Sequence, residues 1–139
     1  NAFQCAEAGL RAGEIWLSKL SGPAYQVAAN PVQGENQVWE ANHNDIKNPE
    51  LGKETLWADA GKTWAYGNVM TNAAASVGCG TEPRYFIEAL GSLLPDSENL
   101  DYKVQARGRG VMYRITAYST GIDNTAAVVL QTTYLQPIN

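Results

Sequence analysis

Apolar and polar positions in the first twenty residues follow the period of one helix face. Apolar or small residues recur at steps of three and four. The polar residues between them are Gln4, Glu7, Arg11, Glu14 and Ser18. Lys19 and the following Ser21-Gly22-Pro23 mark a helix end, whereas no start signal precedes the pattern, which already runs at residue 2. We therefore predict a helix over residues 1–20 that is the continuation of a longer helix.

The middle of the chain carries weaker patterns. Residues 23–48 are predicted to be irregular, apart from a short strand within 33–40. The dipeptide Asn48-Pro49 is a helix start signal and predicts a short helix over 49–60. Residues 61–82 are rich in Gly, Ala, Ser and Thr and are predicted to form a long irregular loop on the surface.

From residue 83 the pattern alternates with the period of two that is typical of strands. Alternating runs cover residues 84–90, 102–106, 111–118 and 125–135. The last two runs are consecutive and separated by a short turn with Gly and Asn, so we expect them to pair as an antiparallel hairpin. Such a sheet can bury one face and leave the other in water.

The predicted fold class is α+β, with residues 1–139 as a single domain. The long N-terminal helix, residues 1–20, packs on an antiparallel sheet of about four strands within residues 83–136. The residues predicted to fill the core between helix and sheet are Trp16, Leu17, Leu20, Ile87, Tyr113, Ile115, Val128 and Leu130.

The chain has two cysteines, Cys5 and Cys79. An even count permits one disulfide, which would join the helix to the middle of the chain and imply an oxidising compartment. Two buried free thiols are the alternative.

Composition narrows the class of protein further. The net charge of −4 argues against a nucleic-acid surface, and charged residues make up only 17% of the chain. The sequence has no window of ~18 apolar residues, so no segment of it is predicted to span a membrane.

Candidates for chemistry are few, so we predict no catalytic residues, no metal site and no cofactor, and a protein that is not an enzyme. His43 is the single histidine and lies in a polar Asn-Asp run, where a solvated loop residue is favoured over a ligand. No nucleophile elbow, phosphate loop or Cys-x-x-Cys spacing is present. The oxygen-rich stretches 42–45 and 96–101 lack the spacing of a calcium loop and are predicted to be turns.

Two further patterns have a plain structural alternative. The Arg-Gly repeat at 107–110 resembles an RNA-binding tract, but it occurs once between strand-like runs and is predicted to be a turn. The four tryptophans and seven tyrosines could form a sugar-binding surface, although aromatic residues in a domain of this size are usually core. The tryptophans are Trp16, Trp39, Trp57 and Trp64.

Four segments together resemble the PilX-type minor pilins of Gram-negative bacteria. They are AFQCAEAGLRAGE at 2–14, PRYFIEALG at 83–91, YRITAYSTG at 113–121 and AAVVLQTTYLQ at 126–136. The four segments lie at both ends and in the middle of the chain. Cys5 stands where the family pattern has a small residue, which favours a pairing that is particular to this protein and its close relatives.

The resemblance implies the soluble domain of a type IV pilus minor pilin whose apolar anchor helix precedes residue 1. The implied function is a structural subunit that primes pilus assembly at the tip and has roles in twitching motility and adhesion. The implied partners are other minor pilins, the major pilin, a tip adhesin and the inner membrane, with no nucleic acid. The implied location is the inner membrane and periplasm before assembly, and then the extracellular pilus.

Two alternatives stay open for the function. One is a minor pseudopilin of type II secretion, which shares the fold. The other is an extracellular lectin-like or adhesin-like binding module.

Small residues on the first helix have two interpretations. Ala2, Ala6, Gly9 and Ala12 are small enough for another helix to approach closely, so they are predicted to contact neighbouring subunits. The alternative is plain burial beneath the domain's own chain.

Overall fold

The computed structural model of the chain describes residues 2–47, 54–68, 79, 82–93, 110–120 and 126–137. The helices are α1 (Ala2–Ser18) and the short α2 (Glu54–Ala58). The strands are β1 (Tyr25–Val27), β2 (Gln37–Glu40), β3 (Trp64–Ala65), β4 (Arg84–Leu93), β5 (Gly110–Ser119) and β6 (Val128–Pro137). Single 3₁₀ turns lie at Gln33–Glu35 and Tyr66–Asn68.

The six strands form one mixed sheet in the order β1-β2-β4-β5-β6, with β3 paired to β4 outside this path. Strands β4, β5 and β6 are antiparallel, which confirms the predicted C-terminal hairpin. Strand β2 runs parallel to both β1 and β4, and β3 runs antiparallel to β4.

The α+β class is thus confirmed, but the prediction of about four antiparallel strands within residues 83–136 is wrong. Strands β1, β2 and β3 come before residue 83 and have only two to four residues each. A strand that short shows too few alternations to be distinguished from a loop. The strand predicted within 33–40 is present as β2, whereas the run at 102–106 lies outside the described residues.

The first helix follows its predicted face period and covers residues 2–18 of the predicted 1–20. Near its end the Ser18 hydroxyl donates to the Ile15 carbonyl, 2.7 Å away. The described part of the second predicted helix is α2, and residues 48–53 lie outside the described residues.

The sheet has one hydrophobic layer on each face. The layer on the helix side contains Leu17, Tyr85, Ile87, Tyr113 and Ile115, all at most 1% exposed. A smaller layer on the opposite face contains Trp39, Ile46, Leu56, Trp57 and Phe86. This second layer arises because Ile46, Leu56 and Trp57, which lie outside the strands, pack on the face of the sheet that carries Phe86. The sequence pattern did not predict it.

Candidate functional site

The helix α1 approaches the sheet so closely that glycine is needed at the contact. A Cβ on Gly13 would lie 2.8 Å from Cγ2 of Ile115, and a Cβ on Gly9 would lie 3.0 Å from Cβ of Ala117. Both distances are well inside the ~3.5–4.0 Å at which two carbon atoms attract each other best. The small residues of α1 therefore set the distance between the helix and the sheet of the same chain.

This packing corrects the prediction that Ala2, Ala6, Gly9 and Ala12 contact neighbouring subunits. Ala6 and Ala12 are 0% exposed, Ala2 is 5% exposed and Gly9 is buried. Buried residues leave almost no surface for another molecule, so the structure favours the alternative of burial within the domain at these four positions. A surface for neighbouring subunits has to use other residues of the helix.

Six of the eight predicted core residues pack in the helix-side layer. Four are fully buried: Leu17, Ile87, Tyr113 and Ile115. Trp16 and Leu20 are partly buried and pack against that layer.

Val128 and Leu130 of the predicted core are half-buried and lie at the margin of the helix-side layer. They lie on the helix side of β6, opposite Ser119 and Ala117 of β5. Strand β6 is the outermost strand of the sheet, so its helix side is covered less completely than that of β5.

The two cysteines form a disulfide, with the Cα atoms of Cys5 and Cys79 6.0 Å apart. This confirms the predicted bridge over the alternative of two free thiols. Cys5 is 0% exposed and Cys79 is 7% exposed, so the bond is shielded from solvent. It ties α1 to a position 74 residues further along the chain.

Three of the four tryptophans are buried, which argues against an aromatic sugar-binding surface. Trp39, Trp57 and Trp64 are 1%, 2% and 6% exposed. Trp64 packs between Trp16 and Tyr85, with ring centroids 4.9 and 5.9 Å away. The four tryptophans therefore belong to, or pack against, the two hydrophobic layers, as the plain alternative predicted.

Trp57 and Trp39 differ in how their indole nitrogens are satisfied. The Trp57 ring stacks on Phe86 and Tyr118, with centroids 5.4 and 5.1 Å away, and its buried Nε1 has no hydrogen-bond partner among the residues that the structure describes. Trp39 Nε1 donates to the Lys62 carbonyl at 3.1 Å. The Trp57 side chain therefore contributes ring contacts to the smaller layer, while its main-chain carbonyl accepts from the Thr63 hydroxyl at 3.3 Å.

A buried ion pair that the sequence did not reveal joins β4 to β5. Arg114 donates from Nε to one oxygen of Glu88 at 2.8 Å and from a terminal nitrogen to the other oxygen at 2.9 Å. The Asn42 backbone N–H also donates to Glu88, at 2.8 Å, and the Asn42 side-chain oxygen accepts from Arg114. Glu88 is 2% exposed. The hydrogen bonds compensate its burial and hold residue 42 against the sheet.

Two buried tyrosines act as hydrogen-bonding groups of the helix-side layer. Burial raises the pKa of the Tyr85 hydroxyl well above its ordinary value, and the hydrogen bond from Gln33 opposes the shift only in part. Burial likewise raises the pKa of Tyr113, against the opposing effect of its hydrogen bond with Ala24. Both hydroxyls therefore stay protonated at neutral pH.

The candidates for chemistry occupy structural positions. His43 packs its ring 5.2 Å from that of Trp39, and its Nδ1 accepts from the Asp45 backbone N–H. Among the described residues, no group of three or more His, Cys, Asp or Glu side chains could hold a metal ion. The stretches 96–101 and 107–109 lie outside the described residues.

In the part of the chain that the structure describes, no helix combines the length and the hydropathy of a bilayer-spanning segment.

The fold and the contacts above define a disulfide-bridged α+β domain whose N-terminal helix is built into one face of a mixed sheet. The model of the PilX family, described as the C-terminal part of the type IV pilus assembly protein PilX, matches residues 29–136. The chain therefore belongs to this family of pilus assembly proteins, and the resemblance to PilX-like minor pilins is confirmed. No curated protein and no solved structure was found to match it.

Membership of the family gives the coarse function. The chain is a type IV pilus assembly-related protein that works with other pilus components at a pilus-associated location.

Proposed function

We propose that the chain is a structural subunit that helps to prime type IV pilus assembly and stays near the pilus tip. The family match over residues 29–136 carries this proposal. It favours the pilus over the pseudopilus of type II secretion, and burial of three tryptophans removes the main support for a lectin-like module. The protein acts by packing and not by catalysis.

The proposed mechanism is a rigid connection between helix and sheet. The close contacts at Gly9 and Gly13, and the bridge from Cys5, join α1 to the domain along its length. Because interiors packed at this density deform little, a displacement of the helix carries the whole sheet with it. A subunit of that kind presents its surface to partners in one fixed orientation.

We propose that contacts with other minor pilins, the major pilin and a tip adhesin use the exposed side of α1. Phe3 is 53% exposed on that side, and Glu7 and Arg11 are also exposed. Aromatic residues are enriched in the cores of protein interfaces and polar residues in their rims, and Phe3 with Glu7 and Arg11 would supply both. We further propose roles in twitching motility and adhesion.

The proposed location is the inner membrane and periplasm before assembly, and the extracellular pilus afterwards. The disulfide supports passage through an oxidising compartment.

Deletion of the gene in the bacterium that encodes the chain tests the proposed function. We expect fewer surface pili by electron microscopy, smaller twitching zones, and restoration of both by the wild-type gene. Tagged wild-type protein should co-purify with other pilins. Normal pili in the deletion strain, together with no co-purifying pilin, would contradict the proposal.

A matched pair of variants tests the proposed contact surface on α1. Phe3→Glu should reduce co-purification of pilins, whereas Ser18→Glu should not, because both positions are exposed and only Phe3 presents apolar surface. Equal retention of partners by the two variants would remove Phe3 from the contact.

A further inference from the structure

Strand β6 presents a long and regular free edge. It is the last strand of the sheet, and in the described part of the chain no strand pairs with its outer side. Its ten residues pair one-to-one with β5, from Val128 opposite Ser119 to Pro137 opposite Gly110. In an antiparallel ladder, the backbone groups that do not bond to the neighbouring strand point to the other side. The outer edge of β6 therefore offers a row of backbone donors and acceptors to a further strand.

The hydrophobic layer under α1 also stops partway across this strand. The half-buried side chains on the helix side of β6 are Val128, Leu130, Thr132 and Tyr134. Their partners on β5, which are at most 1% exposed, are Ser119, Ala117, Ile115 and Tyr113. A strand added beside β6 would place every second side chain next to this half-buried row and extend the layer.

The charge pattern indicates the chemistry of the added strand. Residues 128–137 contain no Asp, Glu, Lys, Arg or His. Strands that remain free in isolated domains usually carry charges, prolines or bulges that block further pairing. On β6 the one such feature is Pro137, at its very end. The edge thus matches an uncharged segment with alternating apolar side chains.

We propose that the outer edge of β6 binds an extended, uncharged segment of a partner protein, which joins the sheet as an additional antiparallel or parallel strand. Backbone hydrogen bonds supply the affinity, and the half-buried row on the helix side selects apolar side chains at alternate positions. This surface is defined by β6 itself and does not rest on the proposed role in pilus assembly.

Amide hydrogen exchange of the full 139-residue chain tests the proposal, with a capped eight-residue peptide of alternating Val and Thr as the probe. In the chain alone, alternate amides within residues 128–137 should exchange fast. Addition of the peptide should slow them, while a peptide with two central prolines should leave them unchanged. The edge is not a docking site if every amide of β6 is already slow in the chain alone, or if both peptides act equally.

Two lysine variants one residue apart supply the matched control on the protein side. Thr132→Lys puts a charge on the helix side, where an added strand would bury it, and should weaken peptide binding by about tenfold or more. Thr133→Lys puts the same charge on the exposed face, where it stays in water, and should leave binding nearly unchanged. Circular dichroism checks that both variants fold; if Thr132→Lys does not, the comparison of the two peptides decides.

Light scattering of the chain alone distinguishes a second copy from a different partner. A monomer supports the proposed occupant. A dimer that Thr132→Lys dissociates and Thr133→Lys does not would overturn it, because β6 would then pair with itself.

Discussion

The side-chain nitrogen of Gln136 lies 3.2 Å from the main-chain carbonyl oxygen of Leu17, 119 positions away in the chain. Leu17 belongs to the last turn of α1, where carbonyl groups lack the usual donor four residues further on, and its carbonyl also accepts from the Leu20 backbone N–H at 3.3 Å. The side-chain nitrogen of Gln136 also donates to the Gly22 carbonyl, and the side-chain oxygen accepts from the Tyr113 hydroxyl. One amide thus joins the end of the helix to the loop that follows it and to both strands of the C-terminal hairpin.

Replacement of Gln136 should loosen this junction. Gln136→Leu removes the hydrogen bonds to the Leu17 and Gly22 carbonyls and from the Tyr113 hydroxyl, and we expect the free energy of unfolding to fall by about 1–3 kcal/mol. Urea unfolding followed by tryptophan fluorescence measures the change. Gln26→Leu, at an exposed position on β1, is the control and should stay within ~0.5 kcal/mol of the wild type. Equal effects of the two substitutions would show that the amide is not important for stability.

A methyl group at Gly13 should destabilise the domain although alanine favours helices. Alanine stabilises a helix by about 1 kcal/mol relative to glycine, but its Cβ would meet Ile115 at 2.8 Å. Overpacking of this kind costs about 1–3 kcal/mol. We expect a net loss for Gly13→Ala in thermal or urea unfolding. Gly22→Ala, where no atom lies within 4 Å of the added carbon, is the matched control. A Gly13→Ala variant more stable than wild type would show that the helix can shift without cost.

Loss of the disulfide should reduce stability substantially. Cys5 and Cys79 close a loop with a sequence separation of 74 residues, for which the chain-entropy model gives about 4 kcal/mol. We expect Cys5→Ala/Cys79→Ala to unfold at a correspondingly lower urea concentration. Mass spectrometry after alkylation of the unfolded, non-reduced wild type should find no free thiol. Two alkylated cysteines in that sample would contradict the bridge.

Removal of one partner of the buried ion pair should cost more than removal of both. Arg114→Met leaves the Glu88 carboxylate buried without its counter-charge, and such a change costs about 3–5 kcal/mol. The double variant Glu88→Met/Arg114→Met should recover part of the loss in a double-mutant cycle. Lys62→Met breaks a half-exposed pair with Asp45 and should cost at most about 1 kcal/mol. Additive losses in the cycle would mean that the pair is not coupled.

Stability should decline in alkaline solution because of Tyr85. Burial raises the pKa of its hydroxyl in the folded state above the value of about 10 in the unfolded chain. A group whose pKa is raised on folding keeps its full contribution below the unfolded pKa and loses it as the pH rises above that value. We expect the free energy of unfolding to fall by up to about 1.4 kcal/mol per pH unit above pH 10 from this residue. Tyr85→Phe should reduce this slope, while an unchanged slope would exclude Tyr85 as its source.

The sequence was informative where a pattern was long and periodic. The 3.6-residue period of α1 extends over 17 residues, and the alternating runs 84–90, 111–118 and 125–135 are long enough to be recognised, so helix, hairpin and most of the core could be predicted. Two cysteines allow one pairing, and the structure contains it. Strands of two to four residues, such as β3, carry too little pattern to be recognised without their partners.

Polar residues of the core show why the buried hydrogen bonds of Gln136 and Glu88 were predicted less well than the fold. Gln136 occupies a helix-side position of β6 and Glu88 an outer-face position of β4, and no sequence signal marks Glu88 as buried. An inward polar residue in an alternating strand is the one available hint at Gln136. Which partner satisfies it depends on residues more than a hundred positions away.

By itself the sequence determined the local elements and the family. Helix and strand periods, like the PilX-type segments, depend only on residues that are close together in the chain. Only the tertiary structure decided that the small residues of α1 face the chain's own sheet, because their exposure depends on what packs against them. The exposure of Val128 and Leu130 likewise depends on what packs against them. An apolar residue is buried only if another part of the chain covers it, and at the edge strand β6 that cover is incomplete.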